Sequence, residues 1–288
     1  MLTASQLKIF LRRRGLRLSK RLGQHHLVDA QVITRVIESC PRLSEETVIE
    51  IGAGLGALTE ALAQRGNRVV ALEVDRQCCD ALTERLVAYP QVRVACQDIL
   101  TFSWEGLRDV TVAGTIPYHI TSPILVTLCE ARRAIRQAIL IIQYEVAQRL
   151  LASPGTKAYG RLSILGQYGW HITRLFDVPR SAFFPQPTVD SCCVRLVARA
   201  HPAVEVEHEP FFFQVVKAAF AQRRKMLVNC LIHFASQKGS SLHEGVQGDR
   251  RTLIETVMQR VGLPLTVRGE ALSLEQFAAL ANALLRNS

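Results

Sequence analysis

The feature that most constrains the fold lies between residues 48 and 65. A run of strand formers ends in Glu50-Ile51, glycines follow at Gly52, Gly54 and Gly56, and a helical stretch opens at Ala57. Strand, tight turn and helix in that order make a crossover unit, which must continue into a further parallel strand. Most of the chain up to residue 200 repeats this logic. Short apolar runs fall at 48–51, 69–74, 92–95, 110–113, 138–142, 162–168 and 191–197, separated mostly by stretches of helical period. The pattern predicts a Rossmann-like α/β fold with a mostly parallel seven-stranded sheet wrapped by helices. Residues 170–187, rich in Phe and Pro and without helical period, read as a loop at the sheet edge. With no helix between them, the last two strands predict an antiparallel end to the sheet. After His201-Pro202 the character changes, and 210–220, 225–236, 250–261 and 274–285 read as helices. The expected organisation is an α/β domain over residues 1–200 and a small all-helical domain over 201–288.

The glycine turn also constrains its ligand. Glycine lets backbone approach a bound molecule closely and adopt positive φ. A pyrophosphate site wants Gly-x-Gly-x-x-Gly and no adjacent negative charge, whereas here the spacing is Gly-x-Gly-x-Gly behind Glu50. A cofactor that carries an amino acid and a sulfonium instead of a diphosphate, S-adenosylmethionine, fits better. Glu73 ends the second strand, where a carboxylate can accept from both ribose hydroxyls. Asp98 follows the third strand, placed for the adenine amino group. Either acid could alternatively cap the next helix.

A net charge of +10 indicates a polyanionic partner. Seven Lys or Arg fall between Lys8 and Arg21 with no acid among them, and Arg223, Arg224 and Lys225 form a second cluster. Two separated clusters suit a phosphate backbone, with Arg12, Arg13, Arg14, Lys20 and Arg21 in a basic N-terminal arm. No apolar run reaches the roughly 18–20 residues that cross a bilayer, and the N-terminal residues lack a signal peptide's apolar core. The eight cysteines have no metal-like spacing, and His25-His26 lack a third ligand, so no metal is expected. Unpaired cysteines fit a reducing cytoplasm. A monomer is the default expectation.

Further along, the chain reads Thr115-Ile116-Pro117-Tyr118, preceded by Lys20-Arg21-Leu22-Gly23-Gln24-His25 and followed by Tyr159-Gly160-Arg161-Leu162-Ser163. Two more segments complete the set: residues 182–191, with Phe183-Phe184-Pro185-Gln186-Pro187, and residues 220–225. In these segments the chain resembles the ribosomal RNA adenine dimethyltransferases of the bacterial small-subunit type. The resemblance implies an S-adenosylmethionine-dependent enzyme that places two methyl groups on N6 of each of two adjacent adenines in a small-subunit rRNA hairpin. It also implies a role in maturation of the small ribosomal subunit. It assigns His25, Leu27, Gly52, Glu73, Asp98 and Thr115 to the cofactor, beside Gly54 and Gly56 of the turn.

For chemistry, the resemblance implies that the carbonyl of Pro117 accepts an amino hydrogen of the target base and that Tyr118 stacks on it; Phe183, in a loop too Pro-rich for a strand interior, is the second candidate wall, with a place in the core as the alternative. The family's motif has Asn where this chain has Thr115. Losing one hydrogen bond in the transition state costs about 1–3 kcal/mol, roughly ten- to a hundredfold in rate. The expectation is therefore a slowed enzyme, and restoring Asn at position 115 should raise turnover. Thr115 also supports an alternative, a catalytically weakened relative acting as a ribosome-assembly or nucleic-acid-binding factor. A large-subunit RNA methyltransferase is a more distant reading, against which the Gln222-Arg223-Arg224-Lys225 segment counts.

Overall fold

The computed structural model describes residues 2–19, 22–40, 46–236 and 250–287. Its strands are β1 (His26–Leu27), β2 (Thr47–Ile51), β3 (Arg68–Glu73), β4 (Val92–Cys96), β5 (Val110–Thr115), β6 (Ile135–Gln143), β7 (Trp170–Val178), β8 (Phe183–Phe184) and β9 (Ser191–Ala198). The chain forms two compact units, one of Met1–Ala147 with His171–Ala198, the other of Gln148–Trp170 with Arg199–Ser288.

The first unit is built on a seven-stranded sheet of order β4-β3-β2-β5-β6-β9-β7. The β2/β3, β3/β4, β2/β5 and β5/β6 pairs are parallel, and β9 runs antiparallel to β6. The inner strands are covered on both faces, which is why they read as continuous apolar runs: Val48, Ile49, Val112, Ala113, Ile139 and Leu140 are fully buried. From β2 the chain adds strands first towards β4 and then, through β5, in the other direction. This reversal is the switch point at which open α/β sheets bind ligands, beyond the carboxyl ends of the strands. Helices there begin on acids: Asp29 caps Ala30–Ser39 through Oδ1, which accepts from Gln31 N at 2.9 Å, and Asp75 caps Arg76–Arg85. Of the N-terminal basic residues, Lys8, Arg12 and Arg13 belong to a helix, Ala4–Arg13, opened by a Thr3/Gln6 capping box. It buries Leu7 and Leu11 in a cluster with Leu55, Cys78 and Ala81.

The second unit is helical, with Arg161–Gly169, Glu209–Ala221, Leu227–Ala235, Arg250–Arg260 and Leu274–Leu285 around a core that includes Phe211, Phe212, Leu231, Met258 and Phe277. The four helices expected after residue 201 are all present within one or two residues at each end.

Two segments differ from expectation. Residues 162–168, read as a strand, form the helix Arg161–Gly169. Leu162, Ile164 and Tyr168 sit at even spacing and mimic a strand, but Ile164 and Tyr168 also stand one helical turn apart and both are buried. Residues 170–178, read as loop, supply the seventh strand instead, β7, at the sheet edge. Its alternation is blurred because an edge strand meets solvent and most of its side chains are partly or fully exposed. As a consequence, the second unit takes in 148–170 as well as the residues after 198, so the single boundary expected at 200/201 becomes three chain crossings.

Candidate active site

A cleft opens at the carboxyl ends of β2, β3, β4 and β5, the edge at which open α/β sheets bind their ligands. Its floor is the turn after β2. Gly54 adopts φ +55°, and its N–H donates to Glu73 Oε2 at 2.7 Å, tying the turn to the end of β3. A Cβ at Gly54 would come within 2.8 Å of His26 Nδ1, so a side chain there would close the space against the ring. Gly52 also lines the cleft. Gly56, assigned to the cofactor from its spacing, does not line it. It precedes the helix Ala57–Gln64, and a Cβ there would lie 2.4 Å from Leu82 Cδ1, so this glycine serves close packing between helices.

Glu73 is buried, and its carboxylate accepts from three backbone N–H groups: Gly54 through Oε2, and Val74 and Asp75 through Oε1 at 2.9 Å each. Burial raises its pKa, and those N–H groups oppose the rise. A carboxylate has about four lone-pair sites, so one remains for a ligand hydroxyl. Asp98 lines the cleft and caps the short helix Ile99–Thr101 through Oδ1, which accepts from Leu100 N at 2.9 Å. The capping alternative and the ligand role are therefore compatible, since capping uses one oxygen.

Behind the turn is a second, smaller cavity, lined by Leu27, Glu50, Gly52, His25 and Thr115 among others. Glu50 is almost fully buried, and desolvation, with the neighbouring charge of Glu73 adding to it, pushes its pKa up to about 8. His26 is driven the other way, to about 4, first by burial and then by His25. Its Nε2 is buried without a hydrogen-bond partner among the described residues.

The loop after β5 carries Thr115, Pro117 and Tyr118 into the cleft. Tyr118 is steadied by a 2.6 Å hydrogen bond between its hydroxyl and Ser191 Oγ, and burial raises its pKa. The Pro117 carbonyl accepts from Ile120 N–H at 3.2 Å and the Thr121 hydroxyl at 3.1 Å. Thr115 Oγ1 is buried and has no hydrogen-bond partner among the described residues. His25 stacks beside Tyr118, ring centroids 5.7 Å apart at 27°, with Nδ1 2.7 Å from the carbonyl oxygen of Pro185.

Phe183 is not a pocket wall. It lies in β8, paired with Leu27 of β1, and is buried in the core with Val36, Val178 and Ala182. The neighbouring Phe184 turns to the opposite side, under the amine of Lys8 at 5.1 Å. Two adjacent strand residues point to opposite faces, and here neither face is the cleft.

Of the basic residues, Arg12 and Arg13 are exposed at the carboxyl end of the first helix, while Arg14 pairs with Glu84. Lys20 and Arg21 lie outside the described residues. Arg223, Arg224 and Lys225 occupy the turn between Glu209–Ala221 and Leu227–Ala235, not a helix start. Arg223 is turned onto its own unit: its guanidinium donates to the carbonyls of Lys157 and Tyr159 at 3.0 Å each and pairs with Glu270 at 3.2 Å. All three bonds come from Nη2, so Arg223 braces its own unit, and its role as a phosphate contact stays a proposal. Arg224 and Lys225 are exposed.

The sequence reading missed Ser191, Pro185 and Gln24, whose amide donates to Asp75 Oδ2 at 2.7 Å beside the cleft. All three stand inside motif segments, so a signal existed, but neither a serine nor a backbone carbonyl announces its partner.

A family model described as "Ribosomal RNA adenine dimethylase" matches residues 15–258. Among curated proteins, "Ribosomal RNA small subunit methyltransferase A" of Bacillus mycoides is 42% identical over 98% of this chain and 97% of its own length. The protein of that name from Bacillus cereus is similar to the same degree. Among solved structures, the 23S rRNA methyltransferase ErmE superposes with a TM-score of 0.64 at 27% identity, over 90% of this chain and 98% of that one. A dimethyladenosine transferase from Plasmodium falciparum shares the fold with a TM-score of 0.74 at 24% identity, over 89% and 96% of the two chains. With the glycine turn, the two strand-end acids and the Pro-Tyr loop gathered around one cleft, the chain belongs to the ribosomal RNA adenine dimethylase family and is an S-adenosylmethionine-dependent methyltransferase.

Proposed function

We propose that this enzyme dimethylates N6 of two adjacent adenines in a small-subunit rRNA hairpin, working as a cytoplasmic monomer on immature small subunits. The observation that carries the reading is the convergence of Gly54 with Glu73, of Asp98, and of the Thr115–Tyr118 loop on one cleft. The small-subunit substrate is supported by the near full-length likeness to proteins of that name. All eight cysteines are free, which fits a reducing compartment.

When bound, S-adenosylmethionine supplies a methyl electrophile on a sulfonium sulfur. Gly52, Glu73 and Asp98 are the residues that would hold it, and the narrow cradle at Gly54 fits backbone approach by a ligand. Tyr118, anchored through Ser191, offers an aromatic face to an extruded base, a contact worth about 1–3 kcal/mol. An adenine amine is a weak nucleophile because its lone pair is delocalised into the ring. Orientation by the cleft supplies most of the rate, and the amine becomes acidic only after transfer, so solvent can take its proton.

One observation favours the second reading, an assembly factor with catalysis lost: Thr115 stands where the family's motif has Asn, and its hydroxyl is buried without a hydrogen-bond partner among the described residues. Incubation with labelled cofactor and undermethylated small subunits separates the two. Dimethyladenosine in the digested RNA is the expected result; bound subunits without incorporated label would establish the assembly factor.

A further inference from the structure

Two aromatic rings meet in the cleft, and one short stretch of chain holds both of them. His25 and Tyr118 lie in an offset stack, with centroids 5.7 Å apart and planes inclined by 27°. The carbonyl oxygen of Pro185 has no proton to give, so His25 Nδ1, 2.7 Å away, is the donor between them. The Tyr118 hydroxyl bonds Ser191 Oγ at 2.6 Å. Both anchors come from residues 185–191, where Pro185 and Pro187 fix two of the φ angles and so narrow the spacings the segment can adopt.

Ser191 is a firm anchor. It is fully buried and opens β9, paired with Gln143 of β6. The residue before it is bonded twice. The Asp190 carbonyl accepts from Tyr144 N–H at 3.1 Å, and Asp190 Oδ1 accepts from Arg180 N–H at 2.9 Å. Tyr118, in contrast, is only partly buried and opens the short helix Tyr118–Ile120 in the loop after β5. A tyrosine ring in such a place can turn about two side-chain torsions unless its far end is held. The buried serine hydroxyl holds it.

We propose that Ser191 is a positioning residue for methyl transfer: its hydroxyl fixes the Tyr118 ring, and residues 185–191 thereby set the surface that receives the target base against His25 on the cofactor side of the cleft. Ser191 does not itself line the cleft, so it acts through Tyr118. A tilt of the platform carries the stacked base with it, and a small misplacement of the amine from the line of methyl transfer lowers the rate. Affinity for RNA is less sensitive, because phosphate contacts supply most of it. The inference rests on the reading of the cleft as an adenine-methylating site with Tyr118 under the base.

The test follows methylation of undermethylated small subunits by wild type, Ser191→Ala, Tyr118→Phe, the Ser191→Ala/Tyr118→Phe double variant and Ser191→Thr. S-adenosylmethionine affinity is read by calorimetry and stability by denaturant unfolding. Dimethyladenosine formed by wild type upholds the underlying reading whatever the variants do; its absence would overturn that reading and the inference with it. Each single variant loses the same hydrogen bond, so kcat should fall about tenfold in both. The half-saturating subunit concentration and the cofactor affinity should each change less than about threefold. The double variant should be within about twofold of the single variants in rate, because one bond can be lost only once. Removing both hydroxyls leaves neither one unpaired, so the double variant should regain stability that Tyr118→Phe loses. A rate that stays low while stability returns separates positioning from a merely structural role. Ser191→Thr, which keeps the hydroxyl, should stay within about threefold of wild type. An undiminished kcat in Tyr118→Phe or Ser191→Ala, a loss seen in cofactor affinity instead, losses that multiply in the double variant, or a rate that recovers in step with stability would each overturn the proposal. Should either Ser191 variant fail to fold, Tyr118→Phe decides alone, since its ring fills the same space and only the oxygen is gone.

Discussion

Glu50 and His26 sit on either side of the glycine turn, and burial drives each towards its neutral form. The usual carboxyl value of 4.5 becomes about 8 for Glu50, and the usual imidazole value of 6.5 becomes about 4 for His26. Between pH 4.5 and 8 folded Glu50 holds a proton that the unfolded chain has released, so its contribution to stability falls as pH rises through that window. Between pH 4 and 6.5 the unfolded chain protonates His26 and the folded one does not, so this contribution grows with pH. The two slopes oppose each other from pH 4.5 to 6.5, leaving the stability they control nearly flat, and above 6.5 the Glu50 slope stands alone. Glu50→Gln should therefore gain on wild type as pH goes from 6.5 to 8, by at most about 1.4 kcal/mol per pH unit. Denaturant unfolding at half-unit pH steps gives the difference directly. A constant offset between the two proteins across that range would show that Glu50 titrates normally.

At the scale of elements, the two-residue pair β1–β8 matters more than its length suggests, because it joins the segment bearing His25 to the segment bearing Pro185. Phe183 pins that pair to the core. Phe183→Ala should destabilise the protein by about 3–5 kcal/mol, read by thermal or denaturant unfolding, whereas Phe183→Leu should cost under about 1.5 kcal/mol. Equal stability of Ala and Leu variants would mean that the ring is not core. Arg223 is the corresponding brace of the helical unit. Arg223→Ala should cost about 1–2 kcal/mol, less than the sum of its bonds because the side chain is nearly half exposed. Calorimetric scans of the two proteins would show it as a lowered midpoint.

These two residues also mark where the sequence was legible. The inner parallel strands were readable because burial on both faces keeps them largely apolar, and Gly54, Glu73 and Asp98 were readable because strand ends along one edge must converge. Phe183 was misread because a Pro-rich neighbourhood excludes a long strand but not a two-residue one. The bracing role of Arg223 was hidden because a run of charges does not reveal which member turns inward onto backbone carbonyls. The helix at 161–169 was hidden by even spacing that suits both periods, and β7 by the solvent on its outer side.

For the molecule as a whole, the +10 charge bears on how it meets RNA, not on how it folds. Exposed cations remain on each unit, Arg12 and Arg13 on the first and Arg224 and Lys225 on the second, whereas Arg14 and Arg223 are engaged by Glu84 and Glu270. Binding to a polyanion releases counterions in proportion to the phosphates neutralised, so the slope of log affinity against log salt counts contacts without requiring their positions. Arg224→Ala/Lys225→Ala should reduce that slope by about 1.5, Arg12→Ala/Arg13→Ala by a similar amount, and the quadruple variant by about 3, with each phosphate contributing about 0.7–0.9. Arg223→Ala should leave the slope unchanged while lowering stability, which separates a brace from a phosphate contact. Filter binding of hairpin RNA from 50 to 200 mM salt resolves slopes of this size. If Arg223→Ala flattened the slope while Arg224→Ala/Lys225→Ala did not, the turn at 222–226 would have to rearrange on binding, and the division of labour inferred from its hydrogen bonds would fail.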